Sequence, residues 1–159
     1  MELNDSIVVP ASPARVFAAL NDPSILRAAI PGCEALARVA DDRFEATIVL
    51  RVGPIKARFG GQVQLDPSGA PDHFSLCGEG AGGAAGFAKG AAHVQLAALP
   101  GGARLTYNVE AQIGGKLAQL GSRLVLGATR ALAASFFKRF SELLVQEKVP
   151  SGDASEGKV

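Results

Sequence analysis

Read for alternation, the chain begins with a strand: in residues 2–9 (ELNDSIVV), Leu3, Ile7 and Val9 fall on one side. Pro10 ends it. Ser12-Pro13 then reads as the N-cap and first position of a short helix whose apolar stripe is Val16, Phe17 and Leu20. Asp22-Pro23 repeats the device and opens a second short helix carrying Ile25, Leu26, Ala29 and Ile30, which Pro31-Gly32 stops. Strands follow without interruption. Glu34–Val39 is a weak one, closed by the turn Asp41-Asp42. In Arg43–Val52, Phe44, Ala46, Ile48, Leu50 and Val52 face one way, and Glu45, Thr47, Val49 and Arg51 the other. Beyond Gly53-Pro54, Ile55–Asp66 sets Ile55, Ala57, Phe59, Val63 and Leu65 against Lys56, Arg58, Gln62 and Gln64. The even loop puts both apolar sets on one face. His73–Gly80, Lys89–Leu99 and Arg104–Ile113 add three more strands, with Phe74, Leu76, Ala92, Val94, Leu96, Leu105, Tyr107, Val109 and Ile113 inward.

From Gly114 to Val149 the pattern changes to a helical one, with no proline until Pro150. One unbroken helix here would be about 50 Å long. Lys116, Arg123, Arg130 and Lys138 fall on a narrow side, either an ordinary solvated face or one turned to an anionic membrane or acidic partner. Leu117, Leu120, Leu124, Ala128, Leu132, Phe136, Phe140 and Leu143 form an apolar arc wider than one sheet contact needs. Gly121 and Gly127 interrupt that arc, predicting a kink, close packing, or a helix that roofs a cavity. The expected architecture is α+β, a helix-grip: a curved antiparallel sheet of six to seven strands around a long C-terminal helix, with two short helices after the first strand. One domain covers 1–149, and the polar tail PSGDASEGKV (150–159) is expected to be disordered.

Composition narrows the classes. With 159 residues and 48% hydrophobic content, a single domain can bury a sizeable core. A net charge of +1, with both signs interspersed, gives no reason to expect nucleic acid as a partner. Met1 is followed by Glu2, Leu3, Asn4 and Asp5 rather than a basic and then apolar stretch, so no signal peptide is expected, and no apolar run is long enough for a bilayer. Cys33 and Cys77 are too few for a disulfide framework and are expected as thiols. Trp is absent and aromatics are only 6%, whereas Gly and Ala abound; small side chains fill volume poorly and suggest interior space.

The chemistry available is thin. His73 and His93 read as exposed sheet residues, no His/Cys/carboxylate group has metal spacing, and no nucleophile motif surrounds a serine. Catalytic and metal residues are therefore expected to be none, and the protein not to be an enzyme. Tyr107, the only tyrosine, points inward; it can donate to a carbonyl, or simply meet a backbone partner or water. The stretch GEGAGGAAGFAKGAA (78–92) holds a loose GxGxxG (Gly78, Gly80, Gly83) without the strand–turn–helix context of a dinucleotide site. So much glycine lets backbone approach closely or lets a loop open. Gly82, Gly83, Phe87 and Lys89, with Gly114, Gly115 and Lys116, are expected at a ligand entrance or docking surface. The expected cavity lining is Ile48, Leu50, Phe59, Leu76, Val94, Tyr107 and Val109 from the sheet, and Leu117, Leu120, Leu124, Ala128 and Phe136 from the helix.

Four blocks, NDPSILRAAIPGCEAL (21–36), VGPIKARFGGQVQL (52–65), GEGAGGAAGFAKG (78–90) and GGKLAQLGSRLV (114–125), together resemble the CoxG family of carbon monoxide dehydrogenase subunits. That family lies within the helix-grip (SRPBCC) superfamily of pollen allergens and START domains, and the resemblance covers residues 1–147. It implies a non-catalytic accessory protein of a molybdenum hydroxylase of the CO dehydrogenase type. It implies a location in the cytoplasm, peripheral on the inner face of the cytoplasmic membrane, and no covalently bound cofactor. The implied ligand is a respiratory quinone, or another isoprenoid or lipid. Some members extend through a linker to a C-terminal apolar or amphipathic segment; this chain stops at Val159, and autonomous anchoring is not expected of it. Two other readings stay open: a recruitment adaptor without ligand, and an enzyme like the polyketide cyclases that share the fold.

Overall fold

The computed structural model describes residues 1–157, with side chains through 146. Seven strands form one antiparallel sheet in the order β1-β7-β6-β5-β4-β3-β2. They are β1 (Glu2–Val9), β2 (Cys33–Ala40), β3 (Arg43–Val52), β4 (Ile55–Asp66), β5 (His73–Ala81), β6 (Phe87–Leu99) and β7 (Gly102–Gly114). Between β1 and β2 lie α1 (Pro13–Leu20) and α2 (Pro23–Ala29). After β7 come α3 (Lys116–Gln119) and α4 (Ser122–Gly157). The strand–helix–helix–meander–helix order is thus the one the alternation predicts, and the sheet takes the larger of the two expected strand numbers.

The two short helices start where the sequence sets them. The Ser12 hydroxyl accepts from the Arg15 amide at 3.2 Å, and Pro13 occupies the first turn. The Asp22 carboxylate accepts from the Ser24 amide and hydroxyl (2.9 and 2.8 Å) and the Ile25 amide (3.4 Å). Burial alone would raise the Asp22 pKa; the Ser24 and Ile25 bonds and the Arg15 charge outweigh it and hold it below the ordinary carboxylate value. A depressed folded pKa stabilises above the unfolded pKa and is lost as pH falls through the folded one. Asp22→Ala is therefore expected to cost about 1 kcal/mol at neutral pH. The cost should shrink as pH falls below the ordinary carboxylate value, as denaturant melts of both proteins at neutral and acid pH will show.

Two differences from the sequence reading concern the C-terminal third. The expected single helix is broken: Gly121, at φ +93°, takes a left-handed conformation between α3 and α4 that other residues rarely adopt. Lys116 therefore belongs to a separate helix, and the basic line running from it to Lys138 is not one face. The other difference is at the far end, where α4 runs to Gly157, past the expected end at Val149. The tail expected over 150–159 lies outside the fully described residues. The stretch 78–92 also differs, because all but its centre is strand; only a 3-10 turn at Gly83–Ala85 separates β5 from β6.

The inner face of the sheet holds two separate cores. The larger gathers Val9, Leu96, Leu105, Phe74, Val94 and Tyr107 from the sheet, Val16 and Ile25 from α1 and α2, and Phe140 and Leu144 from α4. Burying each large side chain contributes about 1.5–3 kcal/mol. The smaller, at the other end, is Val52, Phe59 and Leu117, with Leu50, Ile55, Leu120 and Ala128 packed on it.

Candidate functional site

Between the two cores the inner face is nearly bare. Successive cross-strand rows on this face can be read from the register. One row is Tyr107–Val94–Phe74, and the next Val109–Ala92–Leu76–Leu65. Then come Ala111–Gly90–Gly78–Val63–Phe44, with Phe44 buried at its end, and Ile113–Ala88–Gly80–Gly61–Ala46. Phe59–Ile48 begins the smaller core's end. In the two middle rows most positions are Gly or Ala, so almost nothing projects from the sheet toward α4. A Cβ placed on Gly80 would meet only the Gly60 carbonyl at 3.6 Å and the Gly61 Cα at 3.8 Å, both in β4. No atom of α4 comes within reach of it.

Exposure tells the same story. Ile48, Leu76 and Val109 remain partly accessible to water although they lie on the face that the helix covers; Ala46, Gly61, Gly80 and Ala88 are partly accessible too, but they also border the groove on the outer face. Above them Leu105 and Leu96 are sealed, and below them Phe59 and Val52 are sealed. A sheet face that is sealed at both ends and bare in the middle leaves room for a hollow beneath α4. Small helix residues border it: Ala128 packs on the smaller core. The Thr129 hydroxyl lies 3.5 Å from the Met1 sulfur, and the Met1 amino group donates to the Ala111 carbonyl at 2.8 Å.

The expected lining divides accordingly. Leu76, Val94, Tyr107, Val109 and Phe136 belong to the larger core or its border. Leu50, Phe59, Leu117, Leu120 and Ala128 belong to the smaller. Ile48 is half-buried between them. Leu124 departs from expectation: it is 41% exposed, resting near Gly53 at the β3–β4 turn. The Gly and Ala floor was missed as a lining, since small residues carry no hydrophobic signal. What marks them is their recurrence at inward positions of adjacent strands.

The entrance set also divides. The turn containing Gly82 and Gly83 does meet Gly114 and Gly115. A Cβ on Gly115 would sit 2.6 Å from the Gly86 Cα, and one on Gly86 2.2 Å from the Gly114 carbonyl, so only glycine permits this backbone approach. The Phe59 ring packs beneath Gly82, and Leu117 follows Lys116 into the smaller core. Phe87 and Lys89, in contrast, point to the outer face. Phe87 is 48% exposed over Gly114, and Lys89 stands across from Glu79 and Gln112 in the register. They line an outer groove of about 710 Å³ together with Ala35, Thr47, Gly60 and Gln62.

Polar groups at the hollow are few. Tyr107 is buried, with its ring stacked on Phe137 (centroids 5.5 Å apart, planes at 23°). Burial, then the Asp5 charge, raise its pKa, and Arg130 on α4 opposes them. His93 is exposed and meets the Ser75 hydroxyl at 2.8 Å. Among the described residues no His/Cys/Asp/Glu group could hold a metal ion, and no helix is long and apolar enough to cross a membrane.

Comparison with known proteins agrees with this fold. The family model for CoxG, a carbon monoxide dehydrogenase subunit, matches residues 6–145. None of the curated proteins matches the chain. Among solved structures, a conserved protein from Geobacillus kaustophilus superposes with a TM-score of 0.86 at 28% identity, covering 92% of this chain and 97% of that one. A START superfamily protein from Mycobacterium smegmatis gives 0.62 at 13% identity, over 89% and 98%. TTHA0849 from Thermus thermophilus gives 0.60 at 18%, over 88% and 97%. The last two likenesses speak for the fold alone.

Proposed function

The chain belongs to the CoxG family of carbon monoxide dehydrogenase subunits, and from that premise we propose that it is a non-catalytic accessory protein of a CO dehydrogenase-type molybdenum hydroxylase that carries a respiratory quinone. The observation behind the carrier part is the bare floor between two sealed cores. An apolar ligand is what such a space accepts, because water there finds few partners. Removing a few hundred Å² of apolar tail from water contributes several kcal/mol before ordering costs, enough to hold a ligand and still release it. An isoprenoid tail resides in a bilayer, so a carrier must visit the membrane surface at the inner face of the cytoplasmic membrane, and the protein would link enzyme to membrane there. The absence of paired acid/base groups around the hollow, among the described residues, supports carriage over chemistry.

Organic extraction of the purified protein, followed by mass spectrometry, is expected to yield a quinone or related isoprenoid. The emptied protein should take up decylubiquinone with micromolar affinity, on the order of the several kcal/mol above. A protein that yields no lipid and ignores both decylubiquinone and dodecylbenzene would leave the adaptor reading in its place. Turnover of a polyketide-like substrate would favour the enzyme.

A further inference from the structure

The hollow has one polar feature that the fold itself does not use. Tyr107 is 8% exposed, and its hydroxyl has no hydrogen-bond partner among the described residues. Yet among the described residues no buried side-chain nitrogen or oxygen is left without a partner, so the hydroxyl opens onto accessible space. Its ring is fixed: Phe137 stacks on one side, and Phe136 meets Phe137 edge-on at 4.9 Å. A fixed donor with no internal acceptor, opening onto accessible space, is free to donate to whatever enters that space. Folding gains nothing from it that phenylalanine would not supply.

Arg130 lies nearby without an ion-pair partner among the described residues. Exposed on α4, it shares a stripe with Phe137, whose ring stacks on Tyr107, and its charge reaches the phenol. Asp5 pairs with Tyr107 across β1 and β7, and its carboxylate already accepts from the Ser6 amide at 2.7 Å. The site thus offers two donors, with one cation and one anion that offset each other. From Tyr107 along β7 to the floor at Ala111 is about 13 Å, a few isoprene units at most.

Building on the carrier reading, we propose that Tyr107 and Arg130 are the docking point for the ligand's head, and that the head is a neutral carbonyl oxygen. The phenol donates to that oxygen and the guanidinium reinforces it, while the apolar body lies on the Gly/Ala floor. A guanidinium has donors only, which suits an acceptor such as a quinone carbonyl. Asp5 disfavours a carboxylate head, so a fatty acid of equal length is the poorer ligand.

Calorimetric titration with three probes tests this: decylubiquinone, dodecylbenzene and dodecanoate. Tyr107→Phe is expected to weaken decylubiquinone about 3- to 10-fold, the loss of one hydrogen bond, and to leave dodecylbenzene unchanged. Arg130→Gln should do likewise, and dodecanoate should bind the wild type more weakly than decylubiquinone. The chain has one tyrosine and no tryptophan, so quenching of its emission by decylubiquinone reports contact at Tyr107 directly. Decylubiquinone affinity unchanged in both variants overturns the docking point while leaving the hollow intact. Equal loss of dodecylbenzene in Tyr107→Phe overturns it too, because the ring would be packing rather than docking. Tighter dodecanoate binding overturns the neutral head. A wild type that takes up none of the three removes the carrier reading itself, and the docking point with it.

Discussion

Gly80→Val is expected to weaken uptake of an apolar ligand more than tenfold while making the protein more stable. The two effects come from one cause. Gly80 sits at an inward position near the C-terminal end of β5, between Gly61 and Ala88 in the cross-strand row. The nearest atoms to a Cβ there are backbone atoms of β4 at 3.6 and 3.8 Å, ordinary contact distances, so the Cβ of the branched side chain enters without strain. Its methyls then occupy the space that the ligand needs. Glycine in a strand interior costs roughly 0.5–1 kcal/mol, and valine is among the best strand residues. A gain of about 1 kcal/mol corresponds to a rise of about 2–4 °C in Tm for a domain of this size. Gly78 supplies the control, because its Cβ would stand 3.2 Å from the Val63 side chain and 3.3 Å from the Gln62 carbonyl, so Gly78→Val has to push a neighbour aside. Differential scanning calorimetry and decylubiquinone titration on the same preparations give both readouts. Full uptake by Gly80→Val would mean that the ligand lies elsewhere, and lower stability would mean that the floor is already filled.

Much of this is legible in the chain itself. Alternation fixes which side chains face inward, and the Ser12-Pro13 and Asp22-Pro23 pairs place both short helices. Proline, aspartate and serine act locally, so their signal survives without a fold. The break at Gly121 is legible only as a choice, since a glycine inside an apolar arc reads equally as kink, close packing or roof. Whether Leu124 is sealed depends on how far α4 turns after that break, a tertiary matter that a helical wheel drawn through Gly121 cannot supply. The outward direction of Phe87 and Lys89 follows from the register of β6 against β7. For Lys89 the parity of the expected strand Lys89–Leu99 already implies it, whereas for Phe87 it stays hidden as long as the residues before Lys89 read as a loop. The floor is hidden for another reason: alanine and glycine are silent in any pattern of hydrophobic residues, and only the alignment of neighbouring strands brings them side by side.

Stability, by the same reasoning, should be concentrated at one end. Phe140 is 0% exposed and stands in an aromatic group, stacked on Phe136 (5.5 Å, 18°) and edge-on to Phe137 (6.4 Å, 89°). Around it are Leu144 from the next turn, the inward residues of β6 and β7, and the apolar faces of α1 and α2. Phe140→Ala leaves a cavity that these rigid neighbours cannot close and is expected to cost about 3–5 kcal/mol. Against a typical total of about 5–15 kcal/mol, that is a third or more of the stability of the domain. Ile48→Ala is the counterpart: Ile48 is half-buried beside the floor and packs on neither buried cluster, so its loss should cost only about 1 kcal/mol. Urea denaturation of the two variants and the wild type measures the difference, with the midpoint of Phe140→Ala falling several times further. Such an imbalance is what permits a hollow at all. One end, tied by α1, α2 and the Phe140–Leu144 turn of α4, holds the sheet and helix together, and the middle need not be filled to keep the fold. Equal losses in the two variants would mean that the middle is packed as tightly as the end, and a space for a ligand would have to be opened rather than merely entered.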